Sequence, residues 1–237
     1  GWEFSVEGYY KDMRNVLEYK DGVSFFGSSS GWENKVEMGK GRSAGIEFMA
    51  QKTAGKTTGW LSYTLSKSDR KFTKGGINNG EWFPYKYDRR HSINLTINHK
   101  FSDRIDIGAS WVFYTGGTST IPEEKTTVIR PHNGANNGFL WYGTYDNTNS
   151  SPTIGDVSYI EHRNNFRLPA SHRLNLGVNF NKKTKHGMRT WNISLYNAYN
   201  AMNPAWVYRG HNKQGLSVIK KYTLLPLIPS FTYTYKF

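Results

Sequence analysis

The 237-residue chain contains no cysteine, which excludes a disulfide framework and a thiolate metal site. It also lacks a long apolar run. The longest comparable stretch is Leu224 to Pro229, far short of the ~18 residues a membrane helix needs. A helical membrane protein is excluded, but a chain that crosses lipid as strands is not, because such strands need apolar residues only at alternate positions. Hydrophobic residues make up 37% of the chain and mean hydropathy is −0.68, low for a globular core of this size. Acidic residues are scarce, with 18 Asp and Glu against 31 Lys and Arg and a net charge of +13. The basic residues are scattered, with no dense block and no helix-turn-helix or RNP pattern. Nucleic acid is therefore not the expected partner, and an anionic surface or the solubility of long loops accounts for the charge as well.

Motifs that carry chemistry are missing too. None of the seven histidines, His91, His99, His132, His162, His172, His186 and His211, stands in a metal-ligand spacing. There is no G-x-S-x-G, no phosphate loop and no G-x-G-x-x-G. No catalytic residue, no metal and no cofactor is expected. The polar-face carboxylates Glu7, Glu47 and Asp106 could in principle pair as acid and base, but polar walls carry such groups routinely.

What the chain does have is alternation. Trp2, Phe4, Val6 and Tyr10 alternate with Glu3, Ser5, Glu7 and Tyr9. Ile46 and Phe48 alternate with Gly45 and Glu47, and Leu61, Tyr63 and Leu65 with Ser62, Thr64 and Ser66. Ile93, Leu95 and Ile97 alternate with Asn94, Thr96 and Asn98. Ile105, Ile107, Ala109, Trp111 and Phe113 alternate with Asp106, Gly108 and Ser110. Leu174, Leu176, Val178 and Phe180 alternate with Arg173, Asn175, Gly177 and Asn179, and Trp191, Ile193 and Leu195 with Asn192 and Ser194. Last come Phe231, Tyr233, Tyr235 and Phe237 against Ser230, Thr232, Thr234 and Lys236. Period two means a strand with one apolar and one polar face. Eight such segments of about ten residues, tilted by ~40°, each span roughly 25 Å, the height of an outer-membrane apolar band.

The connections alternate as well. Three are short, at 53–56, 102–103 and 182–187; four are long, at roughly 12–35, 71–87, 116–168 and 201–217. Antiparallel strands then place all short turns at one end and all long loops at the other. The fold expected is all-β, a transmembrane antiparallel barrel. Glu7, Glu47, Asn98, Asp106, Arg173 and Asn175 are expected to face the lumen, and Ile97, Trp111, Leu176 and Ile193 to face lipid. In the longest loop, Phe139, Trp141, Tyr142 and Tyr145 cluster, with Arg130 and His132 upstream. Aromatic faces with polar neighbours suit sugars, peptides and flat chelates. These six are the candidate ligand contacts; packing of loop on loop is the competing reading, as it is for Trp82 and Phe83.

The terminal Phe237 after Phe231, Tyr233 and Tyr235 resembles the C-terminal assembly signal of bacterial outer-membrane barrels, which implies the barrel assembly machinery as a partner. Further segments resemble one family in order: Gly41 to Glu47, Gly59 to Ser66, Phe83 to His91, Tyr114 to Pro122, Arg167 to Leu174, and Tyr196 to Asn200. Together they resemble the C-terminal barrel of TonB-dependent outer-membrane receptors, in particular the SusC-like branch from Bacteroidetes. The resemblance spans residues 1–237, without a plug domain or TonB box. It implies that the eight strands are the last part of a barrel of about 22. It also implies TonB-dependent nutrient import, with an upstream barrel half and plug, TonB, a SusD-like surface lipoprotein, and outer-membrane lipid with lipopolysaccharide as partners. The C-terminus would be periplasmic. No enzymatic activity is expected. Two other readings remain open: a complete small eight-stranded barrel with an adhesin or structural role, and an outer-membrane lipase with a His and a Ser on neighbouring lipid-facing positions. The substrate, whether glycan, peptide, siderophore or cobalamin, is not legible.

Overall fold

A computed structural model describes residues 1–20, 31–73, 77–129 and 154–237. Its strands are β1 (Trp2–Tyr19), β2 (Val36–Lys52), β3 (Thr57–Lys71), β4 (Phe83–Pro84), β5 (His91–Lys100), β6 (Ile105–Tyr114), β7 (Thr118–Ser119), β8 (Glu124–Ile129), β9 (Ile154–Tyr159), β10 (Phe166–Arg167), β11 (Ser171–Thr184), β12 (Gly187–Tyr196), β13 (Pro204–His211), β14 (Ser217–Thr223) and β15 (Ile228–Lys236). One sheet holds the eight long strands in the order β1-β2-β3-β5-β6-β11-β12-β15, each antiparallel to its neighbours, with β4 added beside β3. Short two-stranded pairs β7–β10, β8–β9 and β13–β14 stand apart from it. The turns after β2, β5 and β11 are short and share one end of the sheet; the four long connections share the other.

The register turns the sequence alternation into two continuous faces. Leu61 lies opposite Leu95, Leu95 opposite Trp111, and Trp111 opposite Leu174. Leu176 lies opposite Leu195, and Ile193 opposite Phe231. On the other face Ser62 meets Asn94, Thr96 meets Ser110, Ser110 meets Asn175, Asn179 meets Asn192, and Asn192 meets Thr232. Among the described residues nothing covers the apolar face: Ile193 is 49% exposed and Phe231 66%. A water-soluble protein rarely leaves so large a contiguous apolar patch bare; a sheet with lipid on one side and water on the other has no need to cover it.

Part of the polar face bonds to itself, although among the described residues both carboxylate oxygens of Glu37 and the Nε atoms of Arg70 and Arg173 are buried without a hydrogen-bond partner. Asn179 and Asn181 donate to the two carboxylate oxygens of Asp106, each at 2.6 Å. Thr190 donates to Asn181 and Asn192 to Asn179, both at 2.7 Å. On the apolar face, rings gather at two levels. His172 shares a 2.8 Å hydrogen bond with the Tyr199 hydroxyl, to which Trp111 also donates at 3.1 Å. Tyr63 and His91 pair similarly at 2.8 Å. Toward the short turns, Trp191 stacks on Phe231 and meets Tyr233 at a tilt, and Tyr235 meets Phe237 at a tilt. Rings with one polar atom belong at the two boundaries of an apolar band. Among the described residues, His172 thus engages a tyrosine hydroxyl.

The strands are longer than expected where they leave that band. β1, β2 and β3 run 18, 17 and 15 residues, so the connection from β1 to β2 is 20–35 rather than 12–35. Beyond Tyr10 the apolar alternation stops, but ladder hydrogen bonds continue; alternation is needed only where one face meets lipid. Asn15, at φ 57°, forms a bulge between Arg14 and Val16, which shifts the register and turns Val16 and Glu18 to the polar side. Val16 there packs on Phe72, Ile77 and Phe83, which are fully buried or nearly so. That cluster belongs to the long-loop end.

Candidate functional site

The long-loop end is held together by charge as well as by that small core. Asp88 is only 2% exposed. Arg167 donates from Nη2 to its Oδ2 at 2.6 Å, and from Nη1 to the carbonyls of Asp88 at 2.7 Å and Gly116 at 2.9 Å. The Ser68 amide donates to Asp88 Oδ1 at 2.7 Å. A buried carboxylate persists only when paired and hydrogen-bonded, and this one ties the 72–90 loop to β3 and to the 115–170 connection. Arg163 extends the fastening toward β1: its backbone amide donates to Asn78 Oδ1 at 2.7 Å, and its guanidinium to the Tyr19 carbonyl at 2.9 Å and to Glu18 at 3.1 Å.

A cavity of about 310 Å³ opens beside the Asp88–Arg167 pair. Lys86, Tyr87, Arg89, Tyr114, Leu168 and Trp206 line it, with the backbone of Gly116 and Gly117. The two glycines are required by close approach: a Cβ on Gly116 would lie 1.9 Å from the Leu168 carbonyl oxygen, and one on Gly117 2.5 Å from that of Lys86. The Thr118 amide and hydroxyl donate to the carbonyls of Lys86 and Tyr85, so the cavity wall is built of hydrogen-bonded backbone. The Arg89 guanidinium lies 3.9 Å from the centre of the Tyr114 ring. Trp206 is stacked on Tyr222 across β13–β14, with ring centres 4.2 Å apart. Tyr114 and Ser171, at the floor, sit opposite each other on β6 and β11 and on the polar face of the sheet. A larger hollow of about 470 Å³, bounded by Trp2, Lys52, Gly59, Leu61, Leu95 and Ile97, lies mainly on the apolar face by the short turns and is not part of this site. At that same end Lys100 pairs with Asp103 at 2.8 Å, and this hydrogen bond and charge hold the Asp103 carboxyl below its ordinary value.

The antiparallel sheet, with one bare apolar face and one polar face, agrees with the match of residues 1–201 to the model of the family described as TonB dependent receptor-like, beta-barrel. The chain belongs to this family. Comparison with individual curated proteins gives no match. Membership makes the chain part of an outer-membrane receptor barrel whose family transports in a TonB-dependent way, works with a plug domain and with TonB, and is a transporter family, not an enzyme family.

Within the receptor barrel, Glu7 and Glu47 are direct cross-strand partners. Asn98 lies opposite Thr58 and Gly108, and Asp106 opposite Asn179. Arg173 donates to the Tyr196 hydroxyl while its guanidinium stacks 4.3 Å from that ring. Asn175 accepts the Asn197 amide at 3.2 Å. All six share the polar face. Phe231, Tyr233 and Tyr235 lie along β15 against β12, with Phe237 fully exposed beyond it. The loop candidates Arg130, His132, Phe139, Trp141, Tyr142 and Tyr145 lie outside the described residues. Phe83 packs in the core, and Trp82 carries the Arg42 guanidinium at 4.3 Å. Sequence reading missed Lys86, Arg89, Tyr114 and Trp206 as one group. Three of its family-like segments, Phe83 to His91, Tyr114 to Pro122 and Arg167 to Leu174, nevertheless supply most of the wall.

Proposed function

We propose that the chain forms wall, lumen lining and outer mouth of a barrel that imports a scarce nutrient, with ligand taken up at the long-loop end. The carrying observation is the cavity on the polar side of the sheet at the end where the long connections converge. In this reading the polar face, with Glu7, Glu47, Asn98, Asp106, Arg173 and Asn175, lines the lumen. The long loops are extracellular and the C-terminus periplasmic, with Phe231, Tyr233, Tyr235 and Phe237 read by the barrel assembly machinery. A SusC-like receptor would add a lipoprotein lid over the mouth, which the loop residues Arg130 to Tyr145 would contact together with ligand.

The sheet edges favour a larger barrel over a closed eight-stranded one. Closure of eight strands requires β1 to pair with β15. Among the described residues β1 pairs only with β2, and β15 only with β12. Unpaired N–H and C=O groups in hydrocarbon cost several kcal/mol each. Further strands of the receptor would satisfy them.

Residues 1–237 contain no cysteine, so a cysteine introduced among them can be followed alone once any elsewhere in the receptor is replaced. In the intact receptor, a single cysteine at Lys213, between β13 and β14, should react with an impermeant maleimide on whole cells. One at Lys185, in the β11–β12 turn, should react only after the outer membrane is opened. The reverse pattern overturns the orientation. Uptake of the natural nutrient should stop when the proton gradient is collapsed, while surface binding persists. Removing residues 130–146 should abolish binding or uptake with insertion intact; unchanged growth would assign that segment to packing.

A further inference from the structure

The cavity has a charge signature that narrows the ligand. Lys86 and Arg89 both line it, and among the described residues its wall contains no Asp or Glu. Among the described residues neither side chain has a carboxylate partner: Lys86 Nζ rests 4.9 Å from the centre of the Tyr87 ring, and Arg89 stacks on Tyr114. The nearest acid in sequence, Asp88, is unavailable, because it is buried and occupied by Arg167 and the Ser68 amide. A guanidinium stacked on a ring keeps its N–H edge free, and that planar edge matches a carboxylate with two parallel hydrogen bonds. Around these cations stand Tyr87, Tyr114 and Trp206. One face of Trp206 is spent on Tyr222, yet the side chain stays half-exposed.

We infer that this cavity is a subsite for an acidic saccharide: a sugar ring carrying a carboxylate, as one unit of a longer ligand. The carboxylate is bound by Arg89 with Lys86 beside it, and the ring lies against the aromatic side chains. About 310 Å³ is at the low end for small-molecule sites, which suits one or two rings and not a large chelate. A neutral ligand would leave two cations beside it without compensation, and desolvating them would oppose binding. This inference rests on the transport reading for its biological meaning, but not for its geometry.

The experiment uses the intact receptor in detergent, an oligosaccharide of glucuronic acid, its glucose counterpart of equal length, and free acetate. Titration calorimetry and tryptophan fluorescence report binding. The acidic oligosaccharide should bind at least about tenfold tighter than the neutral one, and the preference should shrink as salt rises. Arg89→Gln should reduce the acidic ligand to the neutral level, and Arg89→Lys should restore it in part. Trp206→Ala should weaken both oligosaccharides. Arg89 is exposed, so folding should survive, as checked by heat-resistant migration of the barrel. Equal binding of the two oligosaccharides, acetate binding as tightly as the acidic one, or no effect of Arg89→Gln overturns the inference. Energised uptake of a neutral nutrient with no acidic preference would remove the subsite and leave transport standing. Acidic binding without energised uptake of any ligand would do the opposite.

Discussion

Replacing Leu176 by arginine probes the face assignment most directly. Leu176 lies on β11 between His172 and Phe180, four residues from each. His172 belongs to the ring cluster with Tyr199, and Phe180 lies opposite Trp191 in the other cluster. Four residues at ~3.3 Å and a tilt of ~40° make about 10 Å of depth on either side, which puts Leu176 near the middle of a band ~25 Å tall. Arginine at the midplane of a barrel's lipid face costs about 2–4 kcal/mol, roughly a 30- to 700-fold loss in the folding equilibrium at ~1.4 kcal/mol per tenfold. The control is Ser110→Arg on the polar face of the neighbouring strand β6, which should cost well under ~1 kcal/mol. Asn175→Arg should cost slightly more than the control, about one hydrogen bond, because Asn175 also accepts the Asn197 amide. The assay is equilibrium unfolding of the receptor in lipid vesicles, followed by tryptophan fluorescence. Equal losses for Leu176→Arg and Ser110→Arg would refute the assignment of faces.

Three further outcomes are expected. Arg167→Met strips the buried Asp88 of its main partner and should cost about 3 kcal/mol, seen as faster hydrogen exchange at 84–90 and 116–118 with the central strands unchanged; unchanged exchange there would deny the fastening role. Gly187→Ala should block assembly, since the new Cβ would lie 1.9 Å from the Lys236 carbonyl oxygen of β15, whereas Gly177→Ala meets Ser194 Cβ at 3.6 Å and Asn192 Nδ2 at 3.7 Å, both ordinary contacts, and should assemble normally; similar assembly of both would remove the close-approach argument. Asp103, held low by Lys100, contributes its stabilisation above its unfolded pKa and loses it as pH falls through the lower folded value. A titration midpoint for Asp103 by NMR should therefore rise in Lys100→Met, and an unmoved midpoint would deny the pair in solution.

The wall was legible because lipid imposes a rule on every second residue. Asn192 beside Ile193, or Asn175 beside Leu176, has few interpretations once the pattern recurs eight times with connections that alternate in length. Where lipid stops imposing that rule, legibility stops. The outer half of β1, with Lys11, Asp12 and Arg14, is a strand only because β2 runs alongside it, and the bulge at Asn15 has no hydrophobic signature. Of the β13–β14 hairpin, β13 was hidden within the stretch 201–217 read as loop and β14 began at its last residue and ran beyond it, assigned to no strand, although Trp206 and Tyr208 alternate toward a turn that closes on Gly215 at φ 79°. That turn residue was the missed signal.

The site was less legible than the wall for a physical reason. A strand partner announces itself by period, but the bond between Asp88 and Arg167 joins residues 79 positions apart in segments without periodicity. The sheet has solvent of one kind or another on both faces and so builds no core of its own. Among the described residues the buried apolar side chains, Phe72, Ile77, Phe83 and Ile121, all belong to connections at the long-loop end. That end behaves as a small folded layer, with apolar packing beneath Val16 and charge pairs at Asp88 and Glu18. Such a layer can hold Arg89, Tyr114 and Trp206 at fixed separations with no ligand present, which lowers the ordering cost of binding. On the import reading proposed above, capture of ligand before energy is supplied needs affinity without that energy, and a preorganised mouth on an inert wall would supply it.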